Sequence, residues 1–300
     1  MWLSKKNVIQ FSETPAIVDA NIGEKLIAVC INSKLDECEM ETNGTKLMRL
    51  SGKVAVVTGA AAGLGRAVAS RFAHEGAAVV AADINVQDGN ALCDQLRAKG
   101  LDAVFVKADV SQECEVNALF DTALARYGRV DVLYNNAGVL LPGRDRSIDE
   151  ISTETWDYVM GVNLRGSFFC ARRAMAAMLR NGGGSIIFLG SPTGLVGCAP
   201  ELTAYSTSKA AIMGLTRTMA VAHARDNVRV NSIIPGTMDT PMNSYILADP
   251  AVRERYREAV PVGRLGTPKD VEGLALFLAS DESSYCTGGL YMCDGGLTAI

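Results

Sequence analysis

A tyrosine and a lysine stand four residues apart in Tyr205-Ser206-Thr207-Ser208-Lys209. On a helix that spacing stacks the two side chains on one face. An ammonium beside a phenol favours the phenolate, so the lysine is expected to lower the tyrosine pKa. A phenol tuned in this way passes a proton to or from a substrate oxygen near neutral pH. Ser191, in Leu189-Gly190-Ser191-Pro192-Thr193-Gly194, is placed to hydrogen-bond that same oxygen. Taken alone, the pair is common by chance and better fits an ordinary helix with a packed tyrosine and a surface lysine. A glycine-rich turn far upstream gives the chemical reading its weight.

That turn is Gly59-Ala60-Ala61-Ala62-Gly63-Leu64-Gly65, directly after the apolar run Val54–Thr58. Absent side chains let the backbone approach a pyrophosphate, and a helix N-terminus beyond offers free N–H groups and positive potential. The spacing G-x-x-x-G-x-G departs from the G-x-G-x-x-G dinucleotide fingerprint, but the strand–turn–helix setting is the required one. A plain tight strand–helix turn is the competing reading. Asp83 closes the next apolar run, where a carboxylate accepts both hydroxyls of a ribose and repels a 2′-phosphate. Ala62 and the residues after Asp83, Ile84 and Asn85, are uncharged. These features favour NAD over NADP; a helix-capping aspartate is the alternative.

The elements that must carry these residues alternate. Strands are expected at 54–58, 77–82, 103–107, 130–134, 185–189, 228–234 and 289–293. Helices are expected at 66–75, 86–99, 112–127, 153–180, from Tyr205 to about 225, and at 268–280, with a mobile helical segment near 242–258. Runs apolar on both faces, alternating with helices, mean parallel strands and right-handed crossovers. The fold class is α/β: a Rossmann-type, doubly wound parallel sheet in one three-layer domain, residues 48–300. Ligands of such a sheet sit at the carboxyl ends of the strands. Asp109-Val110, Asn135-Asn136-Ala137-Gly138 and Pro235-Gly236 with Thr240 all fall at those ends. Each is also readable as a polar or capping turn. Asn163 lies inside the long helix, where an asparagine serves a kink or a buried water.

The chain has 300 residues, 48% hydrophobic and 21% charged, with a formal net charge of −4. This is a globular balance with no basic block, which argues against nucleic acid or an anionic membrane as partner. No apolar run approaches the roughly 20 residues of a membrane span. The first residues fit neither a secretory signal nor an Arg-rich transit peptide, so the protein is expected to be cytoplasmic. Eight cysteines show no C-x-x-C pair and no Cys/His ligand spacing. No metal site is expected, and the cysteines read as buried thiols in a reducing compartment. Residues 1–47 are polar and irregular and are expected to form a poorly ordered extension; an arm packing on a partner subunit is the alternative.

Together, Thr58-Gly59-x-x-x-Gly63-x-Gly65, Asn135-Asn136-Ala137-Gly138, Asn163, Ser191, Tyr205-x-x-x-Lys209 and Pro235-Gly236 resemble the short-chain dehydrogenase/reductase family, in its order and over residues 50–300. The resemblance implies a seven-stranded sheet, NAD(P)-dependent interconversion of a secondary alcohol and a ketone, and a homotetramer. It implies Tyr205 as general acid/base, and Lys209 as the group that binds the nicotinamide ribose and lowers the tyrosine pKa. Ser191 would steady the substrate oxygen, and Asn163 would hold a water in a relay to Lys209. Gly59, Gly63, Leu64 and Gly65 would line the pyrophosphate, Asp83 the ribose, and Asp109 and Val110 the adenine. Asn136, Ala137, Gly138, Pro235, Gly236 and Thr240 would supply further cofactor contacts, with NAD as the cofactor and no metal.

Ser191 lies one residue farther from Tyr205 than the family pattern, which reads as a loop insertion at Cys198–Glu201, with Thr193 as the fallback hydroxyl. The family's enoyl-reductase branch spaces its tyrosine and lysine farther apart. The pocket lining is expected from Leu140, Leu141, Pro142, Thr193, Cys198, Met238, Met242, Tyr245 and Ile246, with a substrate loop at 236–262. Such a wall suits a fairly apolar, alicyclic alcohol or ketone. Arg144 and Arg146 read as a solvated loop rather than as anchors for an acidic substrate. An NADPH-linked ketoreductase is the second enzymatic reading, and a dinucleotide-binding scaffold or sensor without turnover is the reading from another class.

Overall fold

A computed structural model describes residues 48–300; the expected extension at 1–47 lies outside the described residues. Seven parallel strands form one sheet in the order β3-β2-β1-β4-β5-β6-β7. They are β1 (Val54–Thr58), β2 (Ala78–Asp83), β3 (Ala103–Lys107), β4 (Val132–Asn135), β5 (Gly184–Leu189), β6 (Val228–Pro235) and β7 (Leu290–Cys293). The register pairs Thr58 with both Ala82 and Asn135, so the ends of β1, β2 and β4 lie side by side. The strand order reverses direction between β1 and β4, and a ligand crevice opens at that switch.

The helices follow the strands. They are α1 (Gly63–His74), α2 (Val86–Arg97), α3 (Glu113–Tyr127), α4 (Thr153–Met160), α5 (Ser167–Asn181), α6 (Thr203–His223), α7 (Ser244–Leu247), α8 (Pro250–Glu258) and α9 (Pro268–Ala279). Alternate residues of each strand face opposite layers. Val57, Val79 and Ile187 pack with Val68 and Phe72 of α1, Leu92 of α2 and Leu276 of α9. Val56, Val80 and Ile186 pack with Phe120 of α3, Met178 of α5 and Ile212 of α6 on the other side. Both faces of the sheet are therefore dry, which is why the strands read as near-continuous apolar runs.

Three local departures from expectation have physical causes. Helix α1 opens at Gly63, inside the glycine turn, so its N-terminus reaches the crevice itself. The expected helix 153–180 holds a π-helical turn at Gly161–Gly166 between α4 and α5. Asn163 sits in that turn with its side chain buried, the kind of place where an interior asparagine takes backbone partners outside its helix. The cysteines are not uniformly buried: Cys93 and Cys170 are, whereas Cys114 and Cys198 are exposed and Cys286 and Cys293 are half-buried.

Candidate active site

Helix α6 carries Tyr205 in its first turn and Lys209 one turn later. The Lys209 ammonium lies 5.6 Å from the centre of the Tyr205 ring and donates to the Leu189 carbonyl at 2.9 Å. That carbonyl ends β5, so the sheet and the helix hold the lysine between them. Burial pushes the Lys209 pKa down to about 8. Burial likewise raises the Tyr205 phenol above its ordinary value, and a hydrogen bond with Ser191 works in the opposite direction. The expected lowering of the tyrosine pKa is opposed here by desolvation of the half-buried phenol, which outweighs its hydrogen bond.

Ser191 stands just after β5, and its hydroxyl also meets the Thr193 hydroxyl at 3.1 Å. The two hydroxyls are thus linked, and both line one cavity with Tyr205. The Asn163 side chain is held by backbone and hydroxyl partners. Its Oδ1 accepts from the Val139 N–H at 2.7 Å, and its Nδ2 donates to the Val139 carbonyl at 3.0 Å and to Ser208 Oγ at 3.2 Å. Ser208 in turn donates to the Tyr205 carbonyl. The π-helical turn thereby fastens the chain beyond β4 to the helix that carries the phenol.

The glycine turn is built for close approach. A Cβ on Gly65 would fall 2.0 Å from the Gly59 carbonyl oxygen, and one on Gly59 would fall 2.7 Å from the Asn136 amide nitrogen. Gly63, at φ +52°, has its nearest neighbours in the Thr240 and Pro241 side chains, at 3.7 Å and beyond, and so leaves open space where a Cβ would stand. Asn136 donates to the carbonyls of Thr58 and Gly59 and so braces the turn with its amide. The Thr58 hydroxyl accepts from the N–H groups of Asn136 and Ala137, locking the adjacent strand ends.

Asp83 ends β2 with its carboxylate fixed by the N–H groups of Ala61 and Asn85, both at 2.9 Å. Each oxygen keeps a further lone pair for a diol. Asp109 accepts from the Ser111 N–H, while Val110 is buried against Gly166. Gly236 backs onto Asp294, where a Cβ would meet the Asp294 backbone at 2.7 Å. Thr240 precedes a single 3-10 turn and makes no side-chain cap there, so its hydroxyl is not spent on capping. The residues present thus fit a nicotinamide dinucleotide: an open cradle at Gly63, a helix N-terminus behind it and a carboxylate at the ribose end.

Beside the phenol lies a cavity of about 350 Å³. Leu64, Asn136, Gly138, Ser191, Tyr205, Lys209, Pro235, Gly236 and Thr240 all line it, as do the expected Leu140, Thr193, Cys198, Met238, Met242 and Ile246. Leu141, Pro142 and Tyr245 do not: on the short helix α7, Ile246 and Leu247 turn inward and Tyr245 outward, 78% exposed. Sequence reading missed Leu202, Leu247, Tyr256, Ala259 and Leu297 on this wall. Their only signal was apolar character in segments too short to show a period. Arg144 and Arg146 lie outside the cavity and pair with Glu154 and Glu150. Among the described residues, Lys209 is the one charged side chain lining it.

Fold and site together define a dinucleotide-binding oxidoreductase scaffold. A family model described as enoyl-(acyl carrier protein) reductase matches residues 59–298. A 3-oxoacyl-[acyl-carrier-protein] reductase, FabG, of Thermotoga maritima is 40% identical over 255 residues, covering 83% of this chain and 99% of its own. A 2,5-dichloro-2,5-cyclohexadiene-1,4-diol dehydrogenase, LinX, of Sphingobium indicum is 38% identical, covering 83% of this chain and 97% of its own. A solved structure described as an NAD(P)-dependent gluconate 5-dehydrogenase of Beutenbergia cavernae, with NADP bound at low occupancy, superimposes with a TM-score of 0.79. It is 35% identical, over 85% of this chain and all of that one. The chain belongs to the short-chain dehydrogenase/reductase family and is an oxidoreductase of the nicotinamide-dinucleotide-binding kind.

Proposed function

We propose that the protein interconverts a secondary alcohol and a ketone with NAD as cofactor and Tyr205 as general acid/base. The observation that carries this reading is the convergence of Ser191, Tyr205 and Lys209 on one apolar cavity at the carboxyl edge of the sheet. In the oxidative direction Ser191 and Tyr205 hydrogen-bond the substrate hydroxyl, and the phenolate of Tyr205 takes its proton. The ammonium of Lys209 favours that phenolate and binds the nicotinamide ribose. Asn163 holds Val139 and Ser208 in place, and we assign to it the proton relay toward Lys209. The nicotinamide, when bound, supplies the hydride acceptor or donor.

The apolar wall, with Lys209 its one charge, suits a compact neutral substrate of alicyclic shape. Asp83, with Ala62 and Ile84 beside it, supports NAD over NADP, because a carboxylate repels a 2′-phosphate. The NADP in the Beutenbergia structure favours the second reading, an NADPH-linked ketoreductase. A homotetramer in the cytoplasm completes the proposal; no helix of the described residues is long and apolar enough to cross a membrane.

The test is the rate of NADH or NADPH formation, followed by absorbance, from a panel of cyclic and aromatic secondary alcohols with each oxidised cofactor. The expected result is turnover with NAD⁺ at least about tenfold more efficient than with NADP⁺, a difference of about 1.4 kcal/mol. Preference for NADP⁺ would install the second reading. A protein that binds NADH but oxidises none of the panel would favour a non-catalytic scaffold or sensor.

A further inference from the structure

Helix α6 begins without a cap of its own. Leu202 holds the N-cap position and has no side-chain oxygen to offer the first backbone N–H groups. Those groups are orphans of every helix and carry positive potential. In this chain they are met from a distance: Asp145 Oδ1 accepts from the Ala204 N–H at 3.0 Å and Oδ2 from the Tyr205 N–H at 2.8 Å. Asp145 is 1% exposed, although both of its neighbours, Arg144 and Arg146, lie on the surface. Those arginines pair with Glu154 and Glu150, and among the described residues no cation forms an ion pair with Asp145. A carboxylate is costly to bury unless it is well hydrogen-bonded, and here the helix terminus is its partner.

The same residue is tied to the cavity wall. The Asp145 N–H donates to the Leu141 carbonyl at 2.8 Å, and a β-bridge joins Pro142 to Asp145. Leu140, just before this turn, lines the cavity. One side chain thus joins the wall beside the substrate to the backbone of the residue that carries the phenol.

We propose that Asp145 is the positioning residue for Tyr205, fixing the first turn of α6 against the 140–145 loop so that the phenol stays on Ser191. The inference rests on the reading of Tyr205 as the acid/base. Asp145 does not line the cavity and acts through the backbone of Ala204 and Tyr205. Misplacement of a reacting group by about 1 Å costs on the order of 100-fold in rate. Lys209, one turn farther along and held by Leu189, keeps its place when the terminus loosens.

The experiment compares wild type, Asp145→Ala, Asp145→Asn and Tyr205→Phe as full-length chains. Turnover of cyclohexanol and the other panel alcohols is expressed per NADH-binding site, with NADH affinity by fluorescence titration and amide hydrogen exchange across 200–209. In Asp145→Ala, kcat per site is expected to fall about 10- to 100-fold while the NADH Kd stays within about twofold. The amides of Ala204 and Tyr205 should exchange at least about tenfold faster, with the rest of α6 unchanged. Asparagine keeps one acceptor and sets an NH₂ against the second backbone N–H, so its kcat should fall between the other two. If the alanine variant does not fold, a loss of at least about threefold in Asp145→Asn at unchanged NADH affinity carries the inference.

Wild-type kcat or unchanged exchange in the Asp145 variants, beside an inactive Tyr205→Phe, overturns the inference alone. So does a parallel loss of kcat and NADH affinity. An active Tyr205→Phe, or a wild type inert toward the whole panel, overturns the underlying reading and the inference with it.

Discussion

The glycine turn and the substrate wall meet at Tyr205 and are built on opposite plans. The turn is held by backbone and short side chains at the ends of central strands: Thr58 on Asn136 and Ala137, Asn136 on Thr58 and Gly59, Asp83 on Ala61. Gly59 and Gly65 leave no room for a Cβ. The wall instead comes from Met242 and Ile246 on or beside the four-residue helix α7, from Tyr256 on α8 and from an exposed Cys198. Its polar hold is slight, through Asn243 on the Met238 carbonyl and Arg253 on Asp239. A common ligand is met by a rigid frame. A particular ligand is met by apolar side chains on short elements that repack readily.

The contrast is sharpened first where the two plans meet. Lys209→Met should lower turnover about 100-fold or more, as loss of a group that supports proton transfer does. The same change should raise the melting temperature. The folded pKa of Lys209, about 8, lies below its ordinary value, so a buried ammonium costs stability at and below pH 8. That cost fades as pH rises from about 8 to the ordinary lysine value, and removal of the charge relieves it by about 1–3 kcal/mol. Calorimetry at pH 7 and pH 10 checks this: the gain of the variant over wild type should shrink at the higher pH.

On the rigid side, Gly65→Ala puts a Cβ 2.0 Å from the Gly59 carbonyl oxygen. A backbone atom cannot yield as a side chain can, so NADH affinity should fall at least about tenfold by fluorescence titration, with a lower melting temperature. Asp83→Ser combined with Ile84→Arg should move the NADP⁺-to-NAD⁺ efficiency ratio toward NADP⁺ by about tenfold or more. An unchanged ratio would show that the carboxylate does not read the ribose.

On the adaptable side the effects are smaller. Met242→Ala should change the KM for bulky alcohols by about three- to tenfold while NADH affinity is untouched. An equal loss of NADH affinity would mean that the wall and the frame are one unit. Thr193→Val should be milder than Ser191→Ala in kcat, because Ser191 is the hydroxyl whose contact acts to lower the Tyr205 pKa.

The same contrast explains what the sequence made legible. Strand positions are read to within about two residues because β1, β2 and β5 are dry on both faces and flanked by turns. Ser191, Tyr205 and Lys209, which line one cavity, are legible because residue type and spacing alone single them out. Asp145 is not. In Arg144-Asp145-Arg146 it looks like a solvated turn, and its partners at Ala204 and Tyr205 become neighbours only in the fold. The π-helical turn around Asn163 is hidden for the same reason: its polar partners at Val139 and Ser208 are distant in sequence. Burial of the phenol, which reverses the expected direction of its pKa, is a tertiary property that no local spacing encodes.

That reversal gives the pH dependence a definite sign. A phenol held protonated by burial must lose its proton before it can act as a base, so kcat/KM for alcohol oxidation should rise with pH across the neutral range and beyond it. Ketone reduction needs the protonated phenol and should stay flat over the same range. The most direct test of the account is turnover by Tyr205→Phe, per NADH-binding site, on an alcohol that the wild type oxidises. The account predicts a loss of about 1,000-fold with NADH affinity unchanged. Turnover within about tenfold of wild type would contradict it and move the proton to another group.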